Sequence, residues 1–205
     1  KILYEKMMTG LRKDERQAEQ MEEKEMLDIV DEEGMPTGQT VERQEAHEKG
    51  ILHRTAHVWL MRSGPEGVQV LLQKRSRTKD SHPGCYDISS AGHIPAGVDF
   101  IPSALRELRE ELGITAEADQ LCLRGHGRIY QENVFYGRPF VDNQVSRVYC
   151  LWMDVEPEKL RLQASEVESV MWIGLEACKQ MVAENAFPHC IALEELNMLL
   201  DSAPS

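Results

Sequence analysis

Apolar residues recur with two different periods along the chain, and the change of period marks out its elements. At 100° per residue, Ile101, Ala104, Leu105, Leu108 and Leu112 share a sector of about 100°. This pattern predicts an amphipathic helix over 101–112 with one side against a core. Runs rich in β-branched and aromatic residues predict strands at 55–61, 68–75, 121–130, 145–155 and 167–173. Amphipathic segments at 175–184 and 190–200 predict two C-terminal helices.

The order of these elements indicates the fold class. Strands and helices follow one another without regular alternation, which favours an α/β (α+β) protein with a mixed sheet covered by helices. A short apolar strand, the turn EGMP at 33–36 and a return strand predict a β-hairpin at the start. Residues 10–26 are almost all charged or polar, as in a solvated helix or a partly disordered arm. We therefore predict a charged N-terminal arm at 1–26 and one domain at 27–205.

The net charge and the cysteine content limit the binding partners and the cellular compartment that we expect. The net charge of −12 opposes bulk binding to nucleic acid or to an anionic membrane, because both select basic surfaces. An anionic small substrate would need local cations or a metal ion. No apolar run is long enough to cross a bilayer. The 5 cysteines are scattered, which is typical of free thiols in a reducing compartment, so we expect a cytoplasmic protein.

The polar side of the 101–112 helix carries three carboxylates that should repel one another. Glu107 precedes Glu110 by three residues and Glu111 by four, and each such pair costs about 0.2–0.5 kcal/mol in an isolated helix. One interpretation is an ordinary charged surface helix. The other is a divalent-cation site, because Mg²⁺ prefers hard oxygen ligands. A glycine-rich loop, AGHIPAG at 91–97, could bring a backbone carbonyl to such an ion.

Residues 92–114, GHIPAGVDFIPSALRELREELGI, resemble the Nudix box. That pattern is Gly, five residues, Glu, seven residues, Arg-Glu, an aliphatic residue, any residue, Glu-Glu, any residue, Gly and an aliphatic residue. The positions in register are Gly92, Arg106, Glu107, Leu108, Glu110, Glu111, Gly113 and Ile114. The flanking segments LDIVDEEGMPTG, HRTAHVWL, LLQKRS and HPGCYDISSAGH are similar to the branch of the family that resembles isopentenyl-diphosphate isomerase. The resemblance spans about residues 27–200 and implies the Nudix fold, a mixed sheet sandwiched between helices.

The resemblance also implies a chemistry. Nudix enzymes use Mg²⁺ or Mn²⁺ to hydrolyse the phosphoanhydride bond of a nucleoside diphosphate or a derivative of one, so a small diphosphate substrate is expected. The catalytic residues would be Arg106, which orients Glu110 or its neighbour, and Glu107, Glu110 and Glu111. The metal ligands would be those three carboxylates, the carbonyl of Gly92 and a distal carboxylate, Glu166, with Glu168 as its alternative.

The segment QKRSRTK is a cluster of cations in an otherwise acidic chain. Arg75 and Lys74 are expected to contact the substrate phosphates, although a solvated loop would show the same pattern. Aromatic residues near 130–140 could stack on a base, fill the core or form the contact of a homodimer. They are Tyr130, Phe135, Tyr136 and Phe140.

One position departs from the box. Its first glutamate would be residue 98, where this chain has Val98. In the family that carboxylate pairs with the box arginine, so Arg106 should be less well held unless Asp99 reaches it. The intact Arg-Glu-Leu-x-Glu-Glu core favours an active hydrolase. Val98 favours the alternative, a Nudix-fold module that binds a ligand without turnover.

The isomerase interpretation is disfavoured by the chain's own residues. By resemblance, the isomerase cysteine would lie where this chain has Ala91, and its acidic partner where it has Gln144. Neither side chain can supply the required proton chemistry. His57 and His93, near the same motif, are expected to be structural histidines.

Overall fold

A computed structural model describes residues 24–199 of the chain. Most of the predicted N-terminal arm, residues 1–23, lies outside this range. The strands are β1 (Met26–Val30), β2 (Pro36–Glu42), β3 (His53–Gly64), β4 (Gly67–Arg75), β5 (Tyr86–Asp87), β6 (Ser90–His93), β7 (Cys122–Phe135), β8 (Arg138–Trp152) and β9 (Val167–Gly174). The α-helices are α1 (Arg43–Lys49), α2 (Phe100–Leu112), α3 (Leu175–Ala183) and α4 (Leu193–Met198), and short 3₁₀ turns lie at Ala118–Gln120 and Pro157–Lys159.

Seven strands form one mixed sheet. Its main path runs β5-β4-β3-β8-β7, while β6 pairs with β3 and β9 pairs with β4. The β3–β8 pair is parallel, from His53 opposite Gln144 to Met61 opposite Trp152, and the other pairs are antiparallel. The predicted hairpin at the start is the separate two-stranded sheet β1–β2.

Helices pack on both faces of this sheet. Successive side chains of a strand point to opposite faces, so Leu60 joins a core that includes Leu108 of α2, while Trp59 joins a core that includes Leu175 and Leu196. The predicted mixed sheet sandwiched between helices is confirmed. Within residues 24–199, no helix combines the length and apolarity needed to cross a bilayer.

The structure corrects two local predictions. The strands predicted at 121–130 and 145–155 correspond to 122–130 of β7 and 145–152 of β8. Both strands are longer than predicted and form one long hairpin that turns at Tyr136 and Gly137. Polar residues 131–133 and Pro139 hid this extension, because they interrupt the apolar alternation. Helix α1 was not predicted, since its seven residues are mostly polar.

Candidate functional site

Helix α2 is fixed at both of its ends. The side chain of Asp99 accepts a hydrogen bond from the Phe100 N–H at 2.7 Å, and Gly113 ends the helix in the left-handed conformation at φ 70°. Asp99 is therefore the N-cap of α2, and it does not take the place of the missing glutamate beside Arg106, whose partners are Glu107 and the His93 carbonyl.

Two of the three box carboxylates point inward. The side chain of Glu107 is 15% exposed and lies against β6, so closely that a Cβ placed on Gly92 would be 2.2 Å from its carboxyl carbon. Glu111 is 5% exposed, and its Oε2 is buried without a hydrogen-bond partner among residues 24–199. Glu110 is exposed, although its charge still acts on Glu107 and raises the pKa of that carboxyl group. The interpretation of α2 as an ordinary surface helix does not fit this burial.

Burial shifts the titration of both inward carboxyl groups. It raises the pKa of Glu111 to about 8, and the nearby charge of Glu107 raises it further. Burial also raises the pKa of Glu107 to about 7, although the adjacent Arg106 opposes this. A cation between them would hold both in the ionised form. Buried carboxylate oxygens, one of them unpartnered, beside the backbone of Gly92 are a donor set that fits Mg²⁺ or Mn²⁺.

Arg106 and Glu166 complete this cluster. Arg106 donates through Nη2 to Glu107 Oε1 at 2.5 Å and to the carbonyl of His93 at 3.2 Å, so it holds Glu107 rather than Glu110. Glu166, in the turn before β9, forms an ion pair with Lys79. The charges of both residues act on the pKa of Glu111, Lys79 lowering it and Glu166 raising it. The distal carboxylate that the structure brings to the site is therefore Glu166.

The alternative Glu168 and the predicted phosphate contact Lys74 lie elsewhere. Lys74 Nζ donates to Glu168 at 2.9 Å, and Arg77 joins the same carboxylate at 3.4 Å. Lys74 is thus occupied in an exposed ion pair, and the structure does not place it with the residues of the site.

The loop before α2 is held without the missing glutamate. Val98 packs against the core that contains Leu108. Arg54 Nη2 donates to the Val98 carbonyl at 3.0 Å and to Asp28 Oδ2 at 2.8 Å, and the same Asp28 oxygen accepts the N–H of Gly97 at 2.9 Å. Because both charges are buried, removing either side chain would leave the other charge unpaired and lower the free energy of unfolding by about 3–5 kcal/mol. A pair from β1 and β3 therefore positions the loop.

A polar cavity of about 140 Å³ adjoins this cluster at Gly92. Its cations are Arg43, Lys79 and Arg75, and the last donates to Asp87 at 2.9 Å and to the Ser81 carbonyl. Ala91 and Gln144 line it too, so the two positions that test the isomerase interpretation do face one cavity. The structure also adds an acid that the sequence did not single out: burial raises the pKa of Asp142 to about 6.

Three histidines that no spacing pattern in the sequence connects form a cluster beside the cavity. Their nitrogen ligand atoms lie within 4.8 Å of one another, and they are His47, His53 and His93. Arg43 donates to His93 Nδ1 at 3.3 Å, which leaves His93 Nε2 to donate to His47 Nε2 at 2.9 Å. Burial lowers the pKa of all three histidines, that of His47 to about 3, and so favours the neutral rings. Neutral imidazoles suit transition metals, but here the hydrogen bonds already engage His47 and His93.

The two histidines expected to be structural are both held by hydrogen bonds. His93 belongs to the chain just described. His57 Nδ1 lies 2.7 Å from Glu195 Oε1, in a buried contact between β3 and α4. No spacing pattern could indicate this pair, since 138 residues separate its members.

Replacing Gly92 by alanine is expected to displace the Glu107 carboxylate while leaving the fold intact. The new Cβ would overlap the Glu107 side chain, which can move, whereas the backbone of β6 need not change. A displacement of about 1 Å in such a site costs on the order of a hundredfold in rate. The measurement is kcat/KM with a circular-dichroism melt, and Gly97→Ala, whose Cβ meets nothing within 4 Å, is a control for substitution in the loop.

An equal kcat/KM for Gly92→Ala and the parent would show that Glu107 does not need its position against β6. The Gly97→Ala control is itself expected to be less stable than the parent, because Gly97 has φ 76° and an alanine with this φ is strained. Its melting temperature should therefore fall more than that of Gly92→Ala, while its catalytic rate should fall less.

Several known proteins are similar in sequence to this chain. The family model described as the NUDIX domain matches residues 51–190. A Nudix hydrolase of Clostridium acetobutylicum is 37% identical over 154 residues, which cover 75% of this chain and 72% of the relative. An isopentenyl-diphosphate Delta-isomerase of Aliivibrio fischeri is 29% identical over 144 residues, 70% of this chain and 77% of that protein.

A solved structure has the same fold. The crystal structure of DR0079 from Deinococcus radiodurans superposes with a TM-score of 0.60 at 20% identity, over 85% of this chain and 97% of that one. At this identity the likeness supports the fold alone.

Proposed function

This chain belongs to the Nudix hydrolase family, and we propose that it is a metal-dependent pyrophosphohydrolase that cleaves the phosphoanhydride bond of a nucleoside diphosphate or a derivative of one. The observation that carries the proposal is the inward pair Glu107 and Glu111. Two inward carboxyl groups beside a strand position where a Cβ would overlap one of them, the other with an unpartnered oxygen, are costly in the ionised form without a cation.

Different residues would bind the metal ion and contact the substrate. Glu107, Glu111, Glu166 and the Gly92 carbonyl would hold Mg²⁺ or Mn²⁺, with the charge of the exposed Glu110 acting on Glu107. Such an ion supplies charge neutralisation at the diphosphate and lowers the pKa of an attacking water. Arg106 fixes Glu107, and Lys79 and Arg75 place positive charge beside the diphosphate.

The reaction needs one proton acceptor. Water adds to one phosphorus, the bond from that phosphorus to the bridging oxygen breaks, and the bridging oxygen leaves with the other phosphoryl group. Glu111 in its ionised form is the base we propose, since its Oε2 has no other partner among the described residues. The bound cation would keep Glu111 ionised at neutral pH, which is the form that can accept a proton from the attacking water.

The test is hydrolysis of a substrate panel. We expect the purified protein to release phosphate or a nucleoside monophosphate from at least one nucleoside diphosphate, nucleoside triphosphate, nucleotide sugar or dinucleotide, followed by ³¹P NMR. Activity should require Mg²⁺ or Mn²⁺ and should disappear with a chelator. Ion-dependent binding without turnover on the whole panel would replace this proposal with the ligand-binding module.

The structure weakens the case for that module. Its support was the loss of the box glutamate at position 98. Because Asp28 and Arg54 hold the loop that contains Val98, and Arg106 still pairs with Glu107, the inward carboxylates do not depend on that residue.

A further inference from the structure

The tip of the β7–β8 hairpin contains an aromatic residue where the backbone disfavours one. Phe135 pairs with Arg138, so the turn has two central residues, Tyr136 at φ 51° and Gly137 at φ 77°. Positive φ at both positions is the geometry of a type I′ turn, which strongly prefers Asn-Gly. Glycine fits the second position, but a bulky residue with positive φ is uncommon. Strain of this kind often marks a functional position.

Nothing in the hairpin's own packing accounts for the aromatic ring. Tyr136 is 70% exposed, and its hydroxyl donates to the Lys79 carbonyl at 3.2 Å. Lys79 is also the residue whose ammonium pairs with Glu166 in the carboxylate cluster. Lys79 therefore contacts both the turn of the hairpin and the proposed catalytic site.

The ring borders a second cavity, of about 370 Å³. Its aromatic wall consists of Phe135, Tyr136 and Phe140. Phe140 is stacked on His47 with centroids 4.1 Å apart, and Phe135 meets Phe140 edge-on at 5.4 Å. Two of the three rings are therefore fixed by packing, while the exposed face of Tyr136 is free to cover a bound group.

This cavity adjoins the smaller one beside the box. Arg43, His47 and Phe140 line both. The smaller cavity, beside Gly92, has the size for the phosphate part of a substrate. Its lining holds Arg43, Arg75 and Lys79 but also Asp87, Asp142 and Glu195, so a bound cation would have to offset the phosphate charge. The larger one falls in the 300–1,000 Å³ range of small-molecule sites. One ligand could thus place its diphosphate near the carboxylates and its organic group under the hairpin tip.

The lining identifies the chemistry of that organic group. Aromatic faces favour a flat ring, and the polar side chains of Gln44, Glu48, Asp80 and Arg138 would lose their hydration against an alkyl chain without gaining hydrogen bonds. We propose that the larger cavity is the subsite for a nucleobase carried by the diphosphate substrate, and that the Tyr136 ring stacks on that base. The inference rests on the proposed function for its diphosphate, but it can be tested by binding alone.

The probes are the α,β-methylene analogues of ADP, CDP, GDP and UDP, compared with methylenediphosphonate, which has no base. Calorimetry with Mg²⁺ present should show at least one analogue binding about tenfold or more tightly than methylenediphosphonate, as expected for one well-placed stacking contact. Tyr136→Asn should remove most of that preference, so that its affinity for the analogue approaches its own affinity for methylenediphosphonate. Tyr136→Phe, which keeps the ring, should retain it.

Tyr136→Asn is expected to weaken binding of the base without destabilising the fold. Asparagine suits the first position of this turn, so the melting temperature should be maintained or raised. The matched control is Tyr130→Asn: Tyr130 is also exposed, bonds to Glu132 and lines neither cavity, and the change should not affect the preference.

Two results would overturn the subsite. One is that no methylene analogue binds more tightly than methylenediphosphonate, and the other is that Tyr136→Asn keeps the full preference. The proposed function fails in a different way, when the base preference is present and depends on Tyr136 but no panel substrate is hydrolysed.

Discussion

Replacing Glu111 by glutamine is expected to reduce kcat by about 10²–10⁴-fold, the range associated with loss of a general base, while the protein stays at least as stable as the parent. The amide has the shape of the carboxylic acid but can neither accept the proton nor bind a cation with a full charge. Stability should not fall, because burial already favours the neutral form, as the pKa of about 8 shows. A rate assay at saturating substrate and Mg²⁺, with a thermal melt on the same sample, measures both effects.

Glu168→Gln is the matched control for that variant. Glu168 lies two residues from Glu166 and its carboxylate is engaged by Lys74 and Arg77, so its removal should change the rate little. An exposed pair of this kind contributes about 0–1 kcal/mol to folding. Unchanged kcat in Glu111→Gln, with activity still dependent on Mg²⁺, would remove Glu111 from the mechanism.

The part of the site that the sequence predicts is the part built by one local segment. The apolar sector of 101–112 and the stop at Gly113 predict α2 to within one residue of its observed start, Phe100. The helix period alone puts Glu107 and Glu111 on one side, and the loop at Gly92 supplies the surface that they face. These features depend on neighbours in sequence, so spacing is sufficient to find them.

The rest of the site depends on contacts between distant segments. Asp28 and Arg54 are separated by 26 residues, so the pair that holds the loop containing Val98 leaves no spacing signal. His47 and His93 meet because unpredicted helix α1 brings the first beside β6. The hairpin tip was missed for another reason: its polar strands are held by ladder hydrogen bonds, which do not require the alternating pattern that reveals a half-buried strand.

The metal-free protein is expected to lose stability as the pH rises from about 7 to 8.5, and Mg²⁺ is expected to restore it. Glu111 has a pKa of about 8 in the folded protein against an ordinary value of 4.5, so in this interval the folded chain keeps a proton that the unfolded chain has lost. The stabilisation from that proton is complete below about pH 4.5 and disappears as the pH passes 8. Between pH 7 and 8.5 the loss from this group is about 1 kcal/mol, or roughly 2–4 °C in melting temperature for a chain of this size. Glu107, with a pKa of about 7, adds a smaller loss of the same sign.

A bound cation stabilises the ionised form instead, so the rise in melting temperature on adding Mg²⁺ should be larger at pH 8.5 than at pH 7. Glu111→Gln should flatten the metal-free profile and reduce the Mg²⁺ effect at both pH values, which separates this carboxyl group from the buried His57, whose raised pKa gives a loss of the same direction. A parent protein whose melting temperature responds equally to Mg²⁺ at the two pH values would contradict the competition between proton and ion for these carboxylates.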